Sequence, residues 1–322
     1  MTSSSPKPKL YIHVGQATHF LRWELPEFAK YFEVVKAPGS KIPMLVFGPD
    51  VLEEAVQLPA SKRYAVLFPG FGHNPVYNND IKNKHKKLIA QYNLVFINPG
   101  PLEIAYKGLK NVAFYPFSVD VKKIKYLKPR NKINKIIHIS SDYPQKDWQR
   151  SEEIMKRTNL KWEVFPTRNP SNKLVDRATL KLKQYSYTFT KLNIFKIPPH
   201  GYVDHRNVIQ KYRASDAFIH VAKDIKNPIY IDGKYTATLI EAGLAGCIVF
   251  WHDTFQLGNT LDTVFELPLD PEKAATMITD TIETLNVKDH SLKTHKEMLE
   301  KFNPENSVKI RADAILNDIK VR

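Results

Sequence analysis

The sequence predicts an α/β protein made of two mainly parallel sheets in series. Three observations carry that expectation. From Leu10 onward, short apolar runs rich in β-branched residues alternate with helical stretches. The alternation pauses in a basic, Pro-containing segment and restarts at Lys135. Near the C-terminal end, Tyr235 to Trp251 reads as a Thr-rich helix start, a glycine stop and a buried strand. A length of 322 residues suits two domains of ordinary size.

Taken in order, Leu10–Val14 is a strand ending at Gly15, followed by a helix from about Thr18 to Tyr31. Strands follow at Glu33–Ala37, Met44–Phe47, Tyr64–Phe68 and Leu94–Ile97, the last preceded by a helix from about Asn79 to Gln91. Val112–Tyr115 closes the first half. The second half opens with the strand Lys135–Ile139, a helix near Trp148–Thr158 and the strand Trp162–Phe165. Asn193–Ile197, a helix near His205–Arg213 and the strand Ala217–Val221 lead to the final helix–strand pair. Buried strands alternating with helices imply parallel pairing with both faces covered, so each half reads as a Rossmann-type unit. No internal repeat shows in the residues themselves.

The segment Tyr235–Trp251 carries the most chemistry. Thr236 and Thr238 can cap a helix whose first N–H groups are then available to an anion. Gly246 stands where a helix end favours positive φ, and Cys247–Trp251 is a buried strand. Glu241 falls on the second helical turn, placed to receive ribose hydroxyls from a nucleotide at the helix start. A helix–turn–strand unit of any α/β protein shares this pattern.

The run Leu239-Ile-Glu-Ala-Gly-Leu-Ala-Gly-Cys-Ile-Val249 resembles the donor-binding segment of GT-B glycosyltransferases, and of the retaining group-1 family in particular. Three further stretches resemble that family in order. Phe117-Ser-Val-Asp120 stands where the first half closes, and Ile139-Ser-Ser-Asp142 is similar to the loop before the cation that meets the donor diphosphate, here Lys146. His200-Gly-Tyr-Val-Asp204 with Tyr212–Val221 resembles the run that carries the nucleotide base.

The resemblance implies two Rossmann-like domains facing across a cleft. It implies an acceptor domain at 1–120, a basic linker at 121–134 acting as a hinge, a nucleotide-sugar domain at 135–295, and helices at 296–322 returning toward the first domain. It also implies donor contacts from Gly15, Gln16, Ser141, Gly201, Tyr202, Val203, Thr236, Thr238, Leu239 and Glu241, with Lys146 and His73 in catalytic roles.

The departures are specific. The family's earlier glutamate, eight positions before Glu241, is Gly233 here with Asp232 beside it, and the usual proline after the signature glycine is Cys247. No Asp-x-Asp occurs in the chain, which fits stabilisation by cations and a helix dipole without a metal. No cofactor is expected beyond the nucleotide diphosphate-sugar itself. Whether configuration at the sugar is retained or inverted is open, since a departing phosphate can itself take the acceptor proton.

In the first half, Gly15 and Gln16 follow a strand at the edge where ligands bind in such sheets. Pro69-Gly-Phe-Gly-His-Asn74 lies at the same edge, where His73 can offer a hydrogen bond or a base, or sit simply in a glycine-rich turn. His13, His138 and His220 fall inside strands and read as core or edge histidines. His19, Trp23 and Glu24 read equally as an acceptor groove or a helix packing face.

Composition bounds the rest. With 43% hydrophobic residues and no long apolar run, the chain is expected to fold around real cores without a membrane span. Its polar, Pro-broken start reads as a frayed tail, and the expected location is the cytoplasm, with the inner membrane face as a peripheral station. A lone Cys247 excludes an internal disulfide and reads as an inert buried thiol. A net charge of +15 points to an anionic partner, whether nucleotide, nucleic acid, anionic acceptor or acidic membrane, or to solvated lysines alone. Seven basic residues from Lys122 to Lys135 and the cluster Lys82–Lys87 carry much of it.

A glycan or lipid-linked acceptor ranks first, and DNA bases rank second. A non-enzymatic nucleic-acid binder is disfavoured because Tyr126 is the sole aromatic within the basic run. Oligomeric state is left open by the sequence.

Overall fold

The structure, a computed structural model, describes residues 6–15, 18–68, 75–115, 118–124, 126, 129–141, 146–167, 178, 182, 200, 203, 205–223 and 233–320. The chain divides into two compact units. One comprises Met1–Val121, Lys226–Tyr235 and Glu300–Arg322, and the other comprises Lys122–Ile225 and Thr236–Leu299.

The first unit is built on six strands: β1 (Lys9–Val14), β2 (Glu33–Val35), β3 (Met44–Phe47), β4 (Arg63–Leu67), β5 (Leu94–Ile97) and β6 (Val112–Phe114). Their order is β2-β1-β3-β4-β5-β6 and every pairing is parallel. Four helices connect them: α1 (Thr18–Tyr31), α2 (Leu52–Gln57), α3 (Asn79–Ile89) and α4 (Pro101–Tyr106). Because side chains alternate across a strand, β3 feeds two cores at once. Leu45 and Phe47 join Leu10, Phe28 and Phe32 on one face, while Met44 and Val46 join Leu52, Ile89 and Leu102 on the other.

The second unit holds β7 (Lys135–Ser141), β8 (Lys161–Thr167), β9 (Ala217–His220), β10 (Ile248–Trp251) and β11 (Val264–Glu266), in the all-parallel order β11-β10-β9-β7-β8. Its helices are α5 (Trp148–Lys156), α6 (His205–Arg213), α7 (Ala237–Leu244), α8 (Pro271–Thr284) and the greater part of α9 (Val287–Phe302). Helices α5 and α8 pack on each other, as do α6 and α7. Each unit is therefore a Rossmann-like domain with a parallel sheet and flanking helices. The last helix, α10 (Pro304–Lys320), belongs to the first unit, where Val308, Ala312 and Ile315 pack into the core beside α1.

Most strands lie within two residues of their expected ends, whereas α2, α4 and β11 had no strong pattern in the sequence and emerge only in the structure. The strand expected at 193–197 lies outside the described residues. Among the described residues no helix is long and apolar enough to cross a membrane.

Two groups of residues for which a ligand surface was one of the readings are structural. Glu24 is buried and holds Arg311 of α10 through contacts of 2.8 and 2.9 Å, while the Ser118 hydroxyl donates to the same carboxylate. Arg311 is 0% exposed and its guanidinium also lies over Tyr115 at 4.4 Å, so the pair is fully desolvated and mutually dependent. The Trp23 indole donates to Ser118 at 3.1 Å. A helix packing face, not an acceptor groove, accounts for Glu24. The side chain of His19 lies outside the described residues.

In the basic segment, Lys122, Lys123 and Lys132 are exposed, but Arg130 is buried. Arg130 donates to the carbonyls of Ser215 and Tyr212 at 3.0 and 3.1 Å, capping the end of α6. Lys135 pairs with Glu163 at 2.7 Å. Ile124 and Ile133 are buried, so part of the run expected to be solvated carries packing instead.

Candidate functional site

Both sheets reverse their strand order, and in open parallel sheets the carboxyl ends at that reversal are where ligands bind. In the second unit the reversal falls between β7 and β9. β7 ends at Ser141 and β9 at His220, and the chain returns to that point at Lys146, which forms a β-bridge with Ala222. The N–H of Asp147 donates to the Val221 carbonyl at 3.1 Å, pinning Lys146 against the exit of β9. Lys146 is 7% exposed. A lysine held this far from solvent at a reversal point supplies positive potential that water does not fully screen.

Beneath it lies a buried imidazole pair. The rings of His138 and His220 are parallel within 7° at 5.9 Å. His138 Nδ1 is 3.1 Å from the Ile219 carbonyl, so it carries the proton and donates, and Nε2 accepts from the Ser140 hydroxyl at 2.9 Å. Burial, then the neighbouring His220 and Lys146, holds the His138 imidazole well below its ordinary value and keeps it neutral.

The second component is the start of α7. Because β9, α7 and β10 form a parallel crossover, the helix begins at the carboxyl edge of the sheet. Thr236 has the extended backbone of an N-cap, and its hydroxyl accepts from the Leu239 N–H at 3.4 Å and lies 3.0 Å from the Thr238 hydroxyl. Leu239 and Ile240 are fully buried and anchor the first turn. Glu241 is half-buried on the second turn, and its charge, after burial, pushes the Tyr212 phenol up.

The helix ends at Gly246, with φ +84°, where a Cβ would stand 2.6 Å from the Tyr126 ring. Only glycine meets both demands without displacement. Cys247, just beyond, is fully buried and its thiol is pushed up to about 12 by burial, as an inert core cysteine should be.

Of the expected site residues, Lys146, Ser141, Thr236, Thr238, Leu239 and Glu241 belong to the β7, β9 and α7 region of the second unit. Val203 is buried, and its N–H donates to Pro166 at 3.4 Å. Leu239 acts through packing, since its side chain is fully enclosed. Gly15 follows β1 at the reversal of the first sheet, between β1 and β3, where any Cβ would collide with the Asp50 carboxylate. Gln16, His73, Gly201 and Tyr202 lie outside the described residues.

Residues that sequence reasoning passed over stand beside Lys146. Asp147 caps α5 by accepting from the Arg150 N–H at 3.2 Å and pairs with Lys223 at 3.2 Å. The Asp-x-x-Arg spacing before an amphipathic helix was the available signal. His252 and Asp253 follow β10 directly, a position that the end of the apolar run marks.

Two Rossmann-like domains in one chain are the components of the GT-B fold, and solved structures of that fold align with it. HepE of Anabaena, solved in complex with UDP, aligns at a TM-score of 0.64 and 13% identity, over 96% of this chain and 100% of that one. A glycosyltransferase from Rickettsia africae aligns at 0.64 and 11%, over 99% and 100%. AviGT4, a glycosyltransferase involved in avilamycin A biosynthesis, aligns at 0.57 and 7%, over 98% and 99%. At these identities the likeness establishes the fold. No protein-family model matches the chain, and no curated protein sequence matches it.

Proposed function

We propose that the protein is a glycosyltransferase that takes a sugar from a nucleotide diphosphate-sugar without a metal ion. One observation carries the proposal: a buried lysine at the reversal point of the second sheet, on the edge where a hydroxyl-capped helix also begins. Breaking the anomeric C–O bond places negative charge on the leaving diphosphate. Lys146 and the α7 N–H groups are suited to receive it, because they are fixed before the reaction and need no reorganisation.

Glu241 is assigned to the ribose hydroxyls, with the region around Val203 assigned to the base. Ser141, Gly15, Gln16 and His73 are assigned further ligand contacts. UDP is the first nucleotide to test, since HepE was crystallised with UDP and with UDP-glucose. The acceptor assigned first is a glycan or lipid-linked saccharide, with the exposed Lys122, Lys123 and Lys132 offered to an anionic surface.

The test is a thermal-shift and calorimetric screen of nucleotide diphosphates and nucleotide-sugars. A ligand of the native state raises the melting temperature, and UDP or GDP is expected to do so. Failure of every nucleotide diphosphate to shift melting or release heat would sink the reading. Titration against acidic vesicles and duplex DNA at two salt concentrations ranks the acceptors, and tighter DNA binding would promote base modification.

A further inference from the structure

On the α5 face of the second sheet, next to the Lys146 bridge, lies a cavity of about 720 Å³. Its size falls in the range of about 300–1,000 Å³ typical of small-molecule sites. The carboxyl ends of the strands build it. Ala222 and Lys223 follow β9, His252 to Thr254 follow β10, and Glu266 to Leu269 end β11, with Asp147 and Arg150 from the start of α5. Thr236, Thr238 and Glu241 of the α7 region are not among its walls.

The walls are built, not incidental. The Thr254 hydroxyl donates to the Ala222 carbonyl at 3.0 Å. The Asp253 carboxylate folds its own loop by accepting from the N–H groups of Phe255 at 3.3 Å and Gly258 at 2.7 Å. That loop holds Gln256 at φ +52°, the one non-glycine at positive φ among the described residues. A side chain kept in that backbone region at a cavity rim costs energy that the surrounding structure must offset.

What remains unspent defines the ligand. His252 Nδ1 donates to the Leu267 carbonyl at 2.9 Å, which fixes the tautomer and leaves Nε2 an acceptor. Asp147 is occupied by Lys223 and the α5 amide, Arg150 pairs with Glu153, and Asp253 is spent on its loop. Among the described residues no side-chain hydrogen bond or ion pair engages the Glu266 carboxylate, exposed on the wall, or the Gln256 amide. Arg150 and Lys223 keep further N–H groups. The three acceptor groups, on His252, Gln256 and Glu266, ask for ligand donors, and the Glu266 charge repels phosphate and carboxylate. Pro268 and Leu269, the latter 49% exposed, add an apolar wall for C–H groups. Hydroxyls disposed around a small apolar ring meet all of these demands.

We propose that this cavity is a saccharide subsite, in which His252 Nε2, Glu266 and Gln256 take the hydroxyls of a neutral sugar. Its use as the seat of an acceptor glycan rests on the glycosyl-transfer reading, but its binding chemistry does not.

The experiment is ligand-observed NMR on the full chain. The probes are glucose, galactose, N-acetylglucosamine and their β-1,4-linked disaccharides, with spermidine and inorganic phosphate as charged comparators and UDP measured on the same samples. A saturable saccharide is expected, weakened about tenfold by Glu266→Ala and by Gln256→Gly. Both changes are at exposed positions, and glycine suits the backbone at 256. His252→Gln, which keeps a donor for Leu267 and an acceptor for the sugar, is expected to retain more affinity than His252→Ala. UDP affinity should stay within about twofold in the Glu266 and Gln256 variants. The proposal is overturned by spermidine or phosphate binding in place of sugars, by no sugar binding, or by variants that bind sugars as the wild type does. UDP binding without sugar binding defeats this inference alone, whereas sugar binding without any nucleotide defeats the donor reading alone.

Discussion

Helices α5 and α7 both begin at the carboxyl edge of the second sheet, yet their starts are chemically opposite. α7 is capped by the neutral hydroxyl of Thr236, which satisfies one amide and leaves the positive end of the helix uncompensated. α5 is capped by the carboxylate of Asp147, which cancels that potential and also neutralises Lys223. Under the two proposals, cap chemistry sorts ligands along one sheet edge, with the anion assigned to α7 and the neutral, hydroxyl-rich ligand to the side of α5.

The strongest way to break this contrast is to remove the lysine that reinforces the α7 side. Lys146→Ala should cost roughly 2–4 kcal/mol of transition-state stabilisation, about 30- to 1000-fold in kcat/KM, and Glu241→Ala should fall in the same range. Steady-state turnover on a donor identified by screening is the measurement. Wild-type values in folded variants would remove both assignments.

Exchanging the cap sharpens the comparison directly. Thr236→Asp keeps a competent N-cap but places a carboxylate where the diphosphate should lie. Nucleotide affinity is expected to fall about tenfold, or ~1.4 kcal/mol, with unfolding free energy nearly unchanged. Calorimetry beside denaturant unfolding checks this, and undiminished affinity would show that the anion binds elsewhere.

The neutral floor below the two starts predicts acid sensitivity. His138 has a folded-state pKa depressed below the ordinary 6.5, by burial first, so in that window the unfolded chain binds a proton that the folded chain refuses. Stability is thus fully present above about pH 6.5 and is lost as pH falls below it, by up to ~1.4 kcal/mol per pH unit for one proton. His200 and His290, also depressed chiefly by burial, act in the same direction. Unfolding between pH 7.5 and 5.5 should show the decline, and His138→Asn should flatten it. An unchanged slope in that variant would assign the effect elsewhere.

The smallest effect is expected at α5. Asp147→Asn retains the cap but restores the helix's positive end and releases Lys223. Nucleotide binding should tighten by about twofold, consistent with ~0.3–1 kcal/mol for a charge near a helix terminus, and stability should shift by less than ~1 kcal/mol. Weaker binding would reverse the proposed ordering of the two helix starts.

How much of this was legible differs by residue. The α7 unit was readable almost in full, because Thr236, Gly246 and the strand after it act through local rules of capping and positive φ. The strand expected from Cys247 begins at Ile248, a one-residue difference that leaves the chemistry intact. Lys146 was singled out as a candidate only through its place in an ordered set of resemblances, and its burial was not legible, since nothing local to a lysine announces burial. The cavity walls stayed hidden. His252, Gln256 and Glu266 lie on the loop after β10 and on β11, and β11 is too short to carry a period.

Glu24 and Arg130 show the converse failure. Glu24 read equally as groove or packing face, and Arg130 as part of a solvated or partner-binding run, and each is spent on a partner far along the chain, Arg311 at a separation of 287 residues and Ser215 at 85. A charge run reports charge but not destination. The sequence by itself determined what depends on neighbours in the chain: two α/β halves, their strand positions, the capped and glycine-terminated helix, and the absence of a disulfide. Tertiary structure alone decided which cations are buried, which carboxylates are already occupied and which acceptors remain for a ligand. Those outcomes depend on desolvation and on partners brought together by sheet topology, and neither has a period or spacing to be read in advance.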